Sequence, residues 1–187
     1  ALFGAIQTGV GLAEDLNKGV IDRLRSLPIA RYAVLAGRTL ADSVRNIFVI
    51  TLLCVVGATL GFRFHEGVIS FLLGALLIVF FAFAFSWISG VVGLLLKDPE
   101  TVQVAGFLWV FPLVFASSVF VPVATMPSWL QVFARNQPVT QVVNAVRYLT
   151  QGGVPNGMTY VWISLLWIVG IIAVFAPLAV WRYRKIQ

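Results

Sequence analysis

The sequence is short of the groups that do chemistry. It holds one cysteine, Cys54, and one histidine, His65, so no intrachain disulfide can form and no Cys/His metal set exists. Cys54 reads as a small apolar packing residue, and His65 as a solvated side chain in a short turn, Arg63–Glu66. The glycines from Gly4 to Gly9 are not followed by the lysine of a phosphate-binding loop. No nucleophile stands beside a base, and no carboxylate pair fits acid–base work. These absences argue against an enzyme acting by its own side chains. Charge is scarce as well, at 11% of residues against 60% hydrophobic, where a soluble domain carries about 25% and about 45–50%. So little charge points to lipid as the solvent.

What is present is organised around long charge-free runs. Asn46–Phe62, Gly67–Leu96, Thr101–Ala134 and Tyr148–Trp181 contain no Asp, Glu, Lys or Arg. A helix crosses a hydrocarbon core of about 30 Å with about 20 apolar residues. Crossings are therefore expected at 45–63, 68–96, 101–121 and 160–181, in a single domain covering residues 1–187. The runs are continuous rather than alternating, which favours helices over a barrel. No span read this way carries an ionisable residue near its centre, which disfavours an ion-coupled carrier.

The net charge of +6 reports topology. If residues 14–28 are cytosolic and each crossing changes sides, the cytosolic segments hold Lys18, Arg23, Arg25, Arg31, Arg38, Arg45, Lys97, Arg182, Arg184 and Lys185. The outer ones hold Arg63, Arg135 and Arg147. That asymmetry is the positive-inside pattern, and it places the Glu14–Arg45 loop and the C-terminus in the cytosol. No motif supports a nucleic-acid partner.

Residues 1–13 are apolar but too short to span, and are expected to be the end of a truncated crossing. Residues 14–28 read as an amphipathic helix, with Leu16, Val20, Leu24 and Leu27 on one face and Asp15, Lys18, Asp22 and Arg25 elsewhere. Glu14 and Asp15 would open it, as the helix dipole prefers, and Pro28 would end it. A second amphipathic stretch, from about Ala30 to Asn46, carries Arg31, Arg38, Asp42 and Arg45 as a stripe. Its arginines either snorkel to lipid headgroups or meet a cytosolic partner. Lys97-Asp98-Pro99-Glu100 is a tight helix–turn–helix return.

Small residues at Gly57 and Gly61, and at Ala82, Ser86, Ser89, Gly90 and Gly93, predict close helix packing. Pro112 is expected to kink or break the third span. Beyond it, residues 122–158 read as re-entrant or short helices at the outer surface. One has an apolar face of Trp129, Leu130 and Phe133; the other, Val139, Val142, Val143, Val146 and Leu149, opens at Pro138. Phe107, Phe111 and Phe115, with Ser117 and Ser118 beyond them, form a stripe. A hydrophobic substrate could pack there, or the rings face lipid. Tyr160 and Trp162, and Trp181 and Tyr183, bracket the last span as interfacial aromatics.

Two blocks of sequence resemble a known family. "AEDLNKGVIDRLRSLPIARYAVLAGR" is similar to the cytosolic loop of ABC-2-type exporter permeases, above all the daunorubicin-resistance type. The matching positions are Glu14, Asp15, Gly19, Val20, Arg23, Leu24, Arg25, Pro28, Gly37 and Arg38. "FPLVFASSVFVPVATMPSWLQVFARNQPVT" resembles the family's distal signature through Phe111, Pro112, Pro122, Met126, Pro127, Trp129, Leu130, Asn136, Pro138 and Thr140.

The resemblance implies an all-α integral membrane protein, an ABC-2-type transmembrane helical bundle (type V exporter-like) lacking the first helix and most of the second. It implies an exporter of a hydrophobic drug, antibiotic or lipid. The partners would be a second permease subunit, as a homodimer, membrane lipids, and a cytosolic ABC ATPase subunit that binds ATP and magnesium. The permease itself would bind no cofactor and no metal. Glu14, Asp15, Leu16, Lys18, Gly19, Val20, Arg23, Leu24 and Arg25 would couple to that ATPase. A polysaccharide exporter and a non-transporting membrane scaffold are the alternative readings.

Overall fold

The computed structural model describes residues 2–18, 31–59 and 67–185; side-chain surroundings are described within these except at 31–36, 38, 39, 58, 184 and 185. Helices α1 (Leu2–Asn17), α2 (Arg31–Thr59), α3 (Gly67–Leu96) and α4 (Pro99–Phe115) come first. A 3-10 turn at Val123–Thr125 leads to α5 (Ser128–Asn136), α6 (Pro138–Gln151) and α7 (Gly157–Lys185). Among the described residues there is no strand, as expected where backbone groups must be satisfied within each segment.

The apolar opening of the chain lies at the centre of the bundle. Leu2, Ala5, Ile6, Val10, Leu12 and Ala13 are all buried, because the broad apolar face of this helix packs on its neighbours, while Phe3 and Gln7 stay exposed. α1 is held by α3 and α4, and touches α2. Leu2, Ile6 and Val10 share one core with Phe81, Phe85, Val102 and Val110. Phe85 sits between Phe81, at 4.5 Å, and Trp109, stacked at 5.5 Å. By contrast only 11% of the apolar window of α2, Leu40–Gly57, is buried, so α2 is a peripheral helix with its side chains turned to the surroundings.

The small-residue positions of α3 do bring backbones together. A Cβ on Gly9 would overlap the Ser89 carbonyl oxygen, and one on Gly93 would overlap the carbonyl oxygen of Gly9. One turn away, Thr8 Oγ1 donates to Ser86 Oγ at 3.3 Å. Gly90 is not part of this contact, since a Cβ there would meet nothing within 4 Å. Gly61 lies outside the described residues, as does the Arg63–Glu66 turn.

Three helices among the described residues are long and apolar enough to cross a membrane: α2 in its window Leu40–Gly57, α3, and α7 over Gly157–Tyr183. The expected third crossing, 101–121, stops at Phe115 instead. At 17 residues, α4 is about 26 Å long. Pro112 does not break it; the helix runs through Pro112 and closes shortly after, with the Ala116 N–H on the Pro112 carbonyl at 2.9 Å. Ser117 Oγ also donates to the Val114 carbonyl at 2.5 Å, a local bond that competes with continuing the helix. Pro177 lies within α7 without ending it. Both short helices form, α5 over Ser128–Asn136 and α6 starting with Pro138 in its first turn.

Candidate functional site

The polar groups gather at three levels of the bundle. At one end lie the C-terminus of α1, the α3–α4 turn and the end of α7. There Leu12, Val91, Leu94, Ala179 and Tyr183 form a second small core against which Leu16 packs. This corrects one boundary: α1 continues through Asn17, so Glu14, Asp15 and Leu16 form its last turn rather than the first turn of a separate helix. The physical reason is that Leu12, Ala13 and Leu16 bury the same stripe, which nothing in Glu14 or Asp15 interrupts. Lys18 Nζ pairs with Glu14 Oε2 at 3.1 Å in an exposed position. Gly19, Val20, Arg23, Leu24, Arg25 and Pro28 lie outside the described residues.

The turn at this end forms as its sequence suggests. Asp98 caps α4, its carboxylate accepting from the Thr101 hydroxyl and, at 2.8 Å, from the Thr101 N–H. Those two hydrogen bonds, the hydroxyl first, hold the Asp98 carboxyl below its ordinary range. Lys97 takes a positive φ of 58° to make the return.

Further along the bundle, α2 brings Asp42 and Arg45 inside its apolar window. Arg31–Thr59 is one continuous helix, which draws the polar stripe into the first third of that window and leaves its centre free of Asp, Glu, Lys and Arg. Arg45 lies 3.5 Å from Asp42 Oδ1 and donates at 3.2 Å to the carbonyl of Gly4 in the central helix. Asn46 is buried against Gly4. Arg31 and Arg38 lie on the same helix.

At the opposite end a polar face of α6 grips the turn after α4. Gln137 Nε2 donates to the Ala116 carbonyl at 2.7 Å, and Thr140 Oγ1 accepts the Ser118 N–H at 3.2 Å. Asn144 Oδ1 accepts from Ser118 Oγ at 3.3 Å, and Arg147 donates to the Ser118 carbonyl at 2.8 Å. Ser117 and Ser118 are thus buried parts of a clamp. Gln137, Asn144 and Arg147 were missed by sequence reasoning, which followed the valines of that helix. Their spacing with Thr140 puts all four on one helical face, a signal that was there to be read.

Phe107, Phe111 and Phe115 lie on the outer flank of α4, each at least 40% exposed. Phe111 stacks on Phe115 at 4.4 Å, which stacks on Phe120 at 5.3 Å, and Phe107 meets Phe3 at 5.9 Å. Clefts open elsewhere. One of about 370 Å³ lies between α2, α3 and α6 and includes Asn46, Cys54 and Thr150, and one of about 550 Å³ lies between α2 and α3. A further one, about 350 Å³, lies between α1, α3, α4 and α6, with Arg147 in its wall. Among the described residues no group of three or more His, Cys, Asp or Glu side chains could hold a metal ion.

Helices of this length and apolarity define an all-α integral membrane bundle. The ABC-2 type transporter family matches residues 1–150, and the chain belongs to that family. It is similar to the daunorubicin resistance ABC transporter permease protein DrrB1 of Streptomyces coeruleorubidus, 35% identical over 96% of this chain and 63% of that protein. It is 32% identical to the "Probable doxorubicin resistance ABC transporter permease protein DrrC" of Mycobacterium tuberculosis, over 99% of this chain and 66% of that one. A doxorubicin resistance ABC transporter permease protein, DrrB, of the same species is 28% identical over 93% and 62%. The chain thus spans less than two thirds of the length of these relatives. No solved structure matches it.

Proposed function

We propose that this chain belongs to the transmembrane permease subunit of an ATP-driven exporter whose cargo is a hydrophobic drug, antibiotic or lipid. The observation that carries this reading is the alignment of nearly the whole chain, 96%, with a relative named for daunorubicin resistance. The bundle is compatible with it: α1, α3 and α4 form a tight core. Energy would come from a separate cytosolic ATPase binding ATP and magnesium, and two permease copies would enclose the path.

In this reading the end carrying Glu14, Lys18, Lys97 and the C-terminus faces the cytosol. Support comes from the meeting of Leu12 and Leu16 with Leu94 and Tyr183, which brings three basic segments to one end. The coupling segment would run from Glu14 through Leu16, Lys18, Gly19, Val20, Arg23, Leu24 and Arg25. Val20 and Leu24 would seat on the ATPase, with charge setting orientation, while Leu16 packs back onto the bundle. The exposed Phe107–Phe111–Phe115 flank would border the path where the two copies meet.

The test is drug accumulation in inside-out vesicles holding the full-length protein and its ATPase. ATP-dependent uptake of doxorubicin is expected, with loss of both uptake and ATPase co-purification in the Val20→Asp, Leu24→Asp variant. No ATP-dependent uptake across a panel of drugs and lipids would remove the exporter reading. Uptake that survives the double variant would remove only the coupling role.

A further inference from the structure

We propose that the cleft between α1, α3, α4 and α6 holds one acyl chain of an anionic phospholipid of the surrounding bilayer, with its phosphate on Arg147. The cleft has a volume of about 350 Å³ and is walled by Ile78, Phe81, Val114 and Val143, within the usual range for small-molecule sites. Phe3 and Val119 stand at its rim, 44% and 37% exposed, so it is open to the surroundings.

Arg147 is the charged group in this apolar wall. It is half-buried, and its protein partner is the Ser118 carbonyl at 2.8 Å. A guanidinium has five N–H donors, so that one bond leaves most of its capacity unused. The chain has no Asp or Glu anywhere after Glu100, and α1 and α3 contribute none beside the cleft. A cation held against apolar surface without a carboxylate favours an anion from outside. A planar fork of this kind suits a phosphate.

Charge complementarity at the rim and apolar walls within it describe a two-part ligand, a phosphate head joined to a hydrocarbon chain. A bundle with three helices apolar and long enough to cross a membrane would meet such ligands in its bilayer. The site does not depend on the exporter reading; it would be filled whether or not the protein transports.

The test uses the full-length protein, delipidated in detergent and offered phosphatidylglycerol or phosphatidylcholine, with retained lipid counted by native mass spectrometry. Phosphatidylglycerol should be retained about tenfold better, as one charge-assisted contact allows. Arg147→Gln should bring it down to the phosphatidylcholine level. Val143→Trp fills the cleft while leaving Arg147 in place, and should also lose phosphatidylglycerol; it decides the matter if Arg147→Gln does not fold. Equal retention of the two lipids by the unaltered protein would overturn the proposal. So would undiminished phosphatidylglycerol in Val143→Trp, or its complete displacement by inorganic phosphate, which would reduce the site to a simple anion contact.

Discussion

Gly9 and Gly93 meet backbone to backbone where α1 crosses α3, and the carbonyl of Gly9 occupies the space a side chain on Gly93 would need. In lipid, helix association rests on packing at such points rather than on a hydrophobic drive. The obstruction is backbone on both sides, so it cannot swing away as a flexible side chain would. Gly93→Ala is expected to destabilise the protein by about 1–3 kcal/mol, read as a lowered unfolding temperature in detergent. Gly90→Ala, one turn earlier and facing open space, should be close to neutral. Equal effects at the two positions would mean the crossing does not hold the bundle together.

The clamp between α6 and the turn after α4 leads to a second expectation. Gln137 is buried, and its amide satisfies the Ala116 carbonyl at the point where α4 ends. Gln137→Leu keeps the apolar bulk and leaves that carbonyl without its donor. A fully buried unsatisfied acceptor costs about 1–3 kcal/mol. The Ala116 bond is part-buried and the substitution also removes the unpartnered Gln137 Oε1, so a net cost of about 1 kcal/mol or less is expected, read as faster hydrogen exchange at residues 114–118. Unchanged protection there would show that solvent or another donor already serves the carbonyl.

How much of this was legible beforehand depended on the range of the interaction. The return at Lys97–Glu100 and the start of α6 at Pro138 follow from proline and capping chemistry within a few residues, and both form as read. The central place of α1 was not legible, because Leu2, Ile6 and Val10 are equally suited to lipid and to protein. Beside the local Ser117 bond, the turn that closes α4 is held by Gln137, more than twenty residues away in sequence. Continuous apolar composition from Thr101 to Ala134 gives no sign of where a distant side chain will take a carbonyl. Phe107, Phe111 and Phe115 are all exposed on α4, and periodicity alone does not say whether they meet lipid, cargo or a second copy.

The Asp98 cap carries a pH dependence whose sign is fixed by its cause. The Thr101 hydroxyl and N–H favour the charged carboxylate, so the folded-state pKa lies below the unfolded one. The contribution is therefore fully present above the ordinary aspartate value of about 3.9 and is lost as pH falls through the lower folded value. Asp98→Asn should fray the first turn of α4 at neutral pH, measured as faster amide exchange at Thr101 and Val102. Below the folded-state pKa the two proteins should converge. A difference that persists undiminished at low pH would mean the carboxylate charge is not what the cap uses.

Asp42 and Arg45 offer a sharper test because they sit within the apolar window of α2. Asp42 is the more enclosed partner, with 14% of its side chain exposed against 49% for Arg45. Removing the arginine therefore strands a carboxylate in poor solvent, whereas removing both leaves no charge to strand. Arg45→Met is expected to cost about 1–2 kcal/mol, after allowance for the exposure of the arginine. It also loses the bond to the Gly4 carbonyl, which ties this peripheral helix to the central one. The double variant Asp42→Asn, Arg45→Met should recover part of that loss, and the recovered part measures the pair. Unfolding of the single and double variants in detergent, compared as a cycle, separates the two contributions. If the double variant is as unstable as Arg45→Met alone, the bond to Gly4 is what matters, and the carboxylate is reached by water.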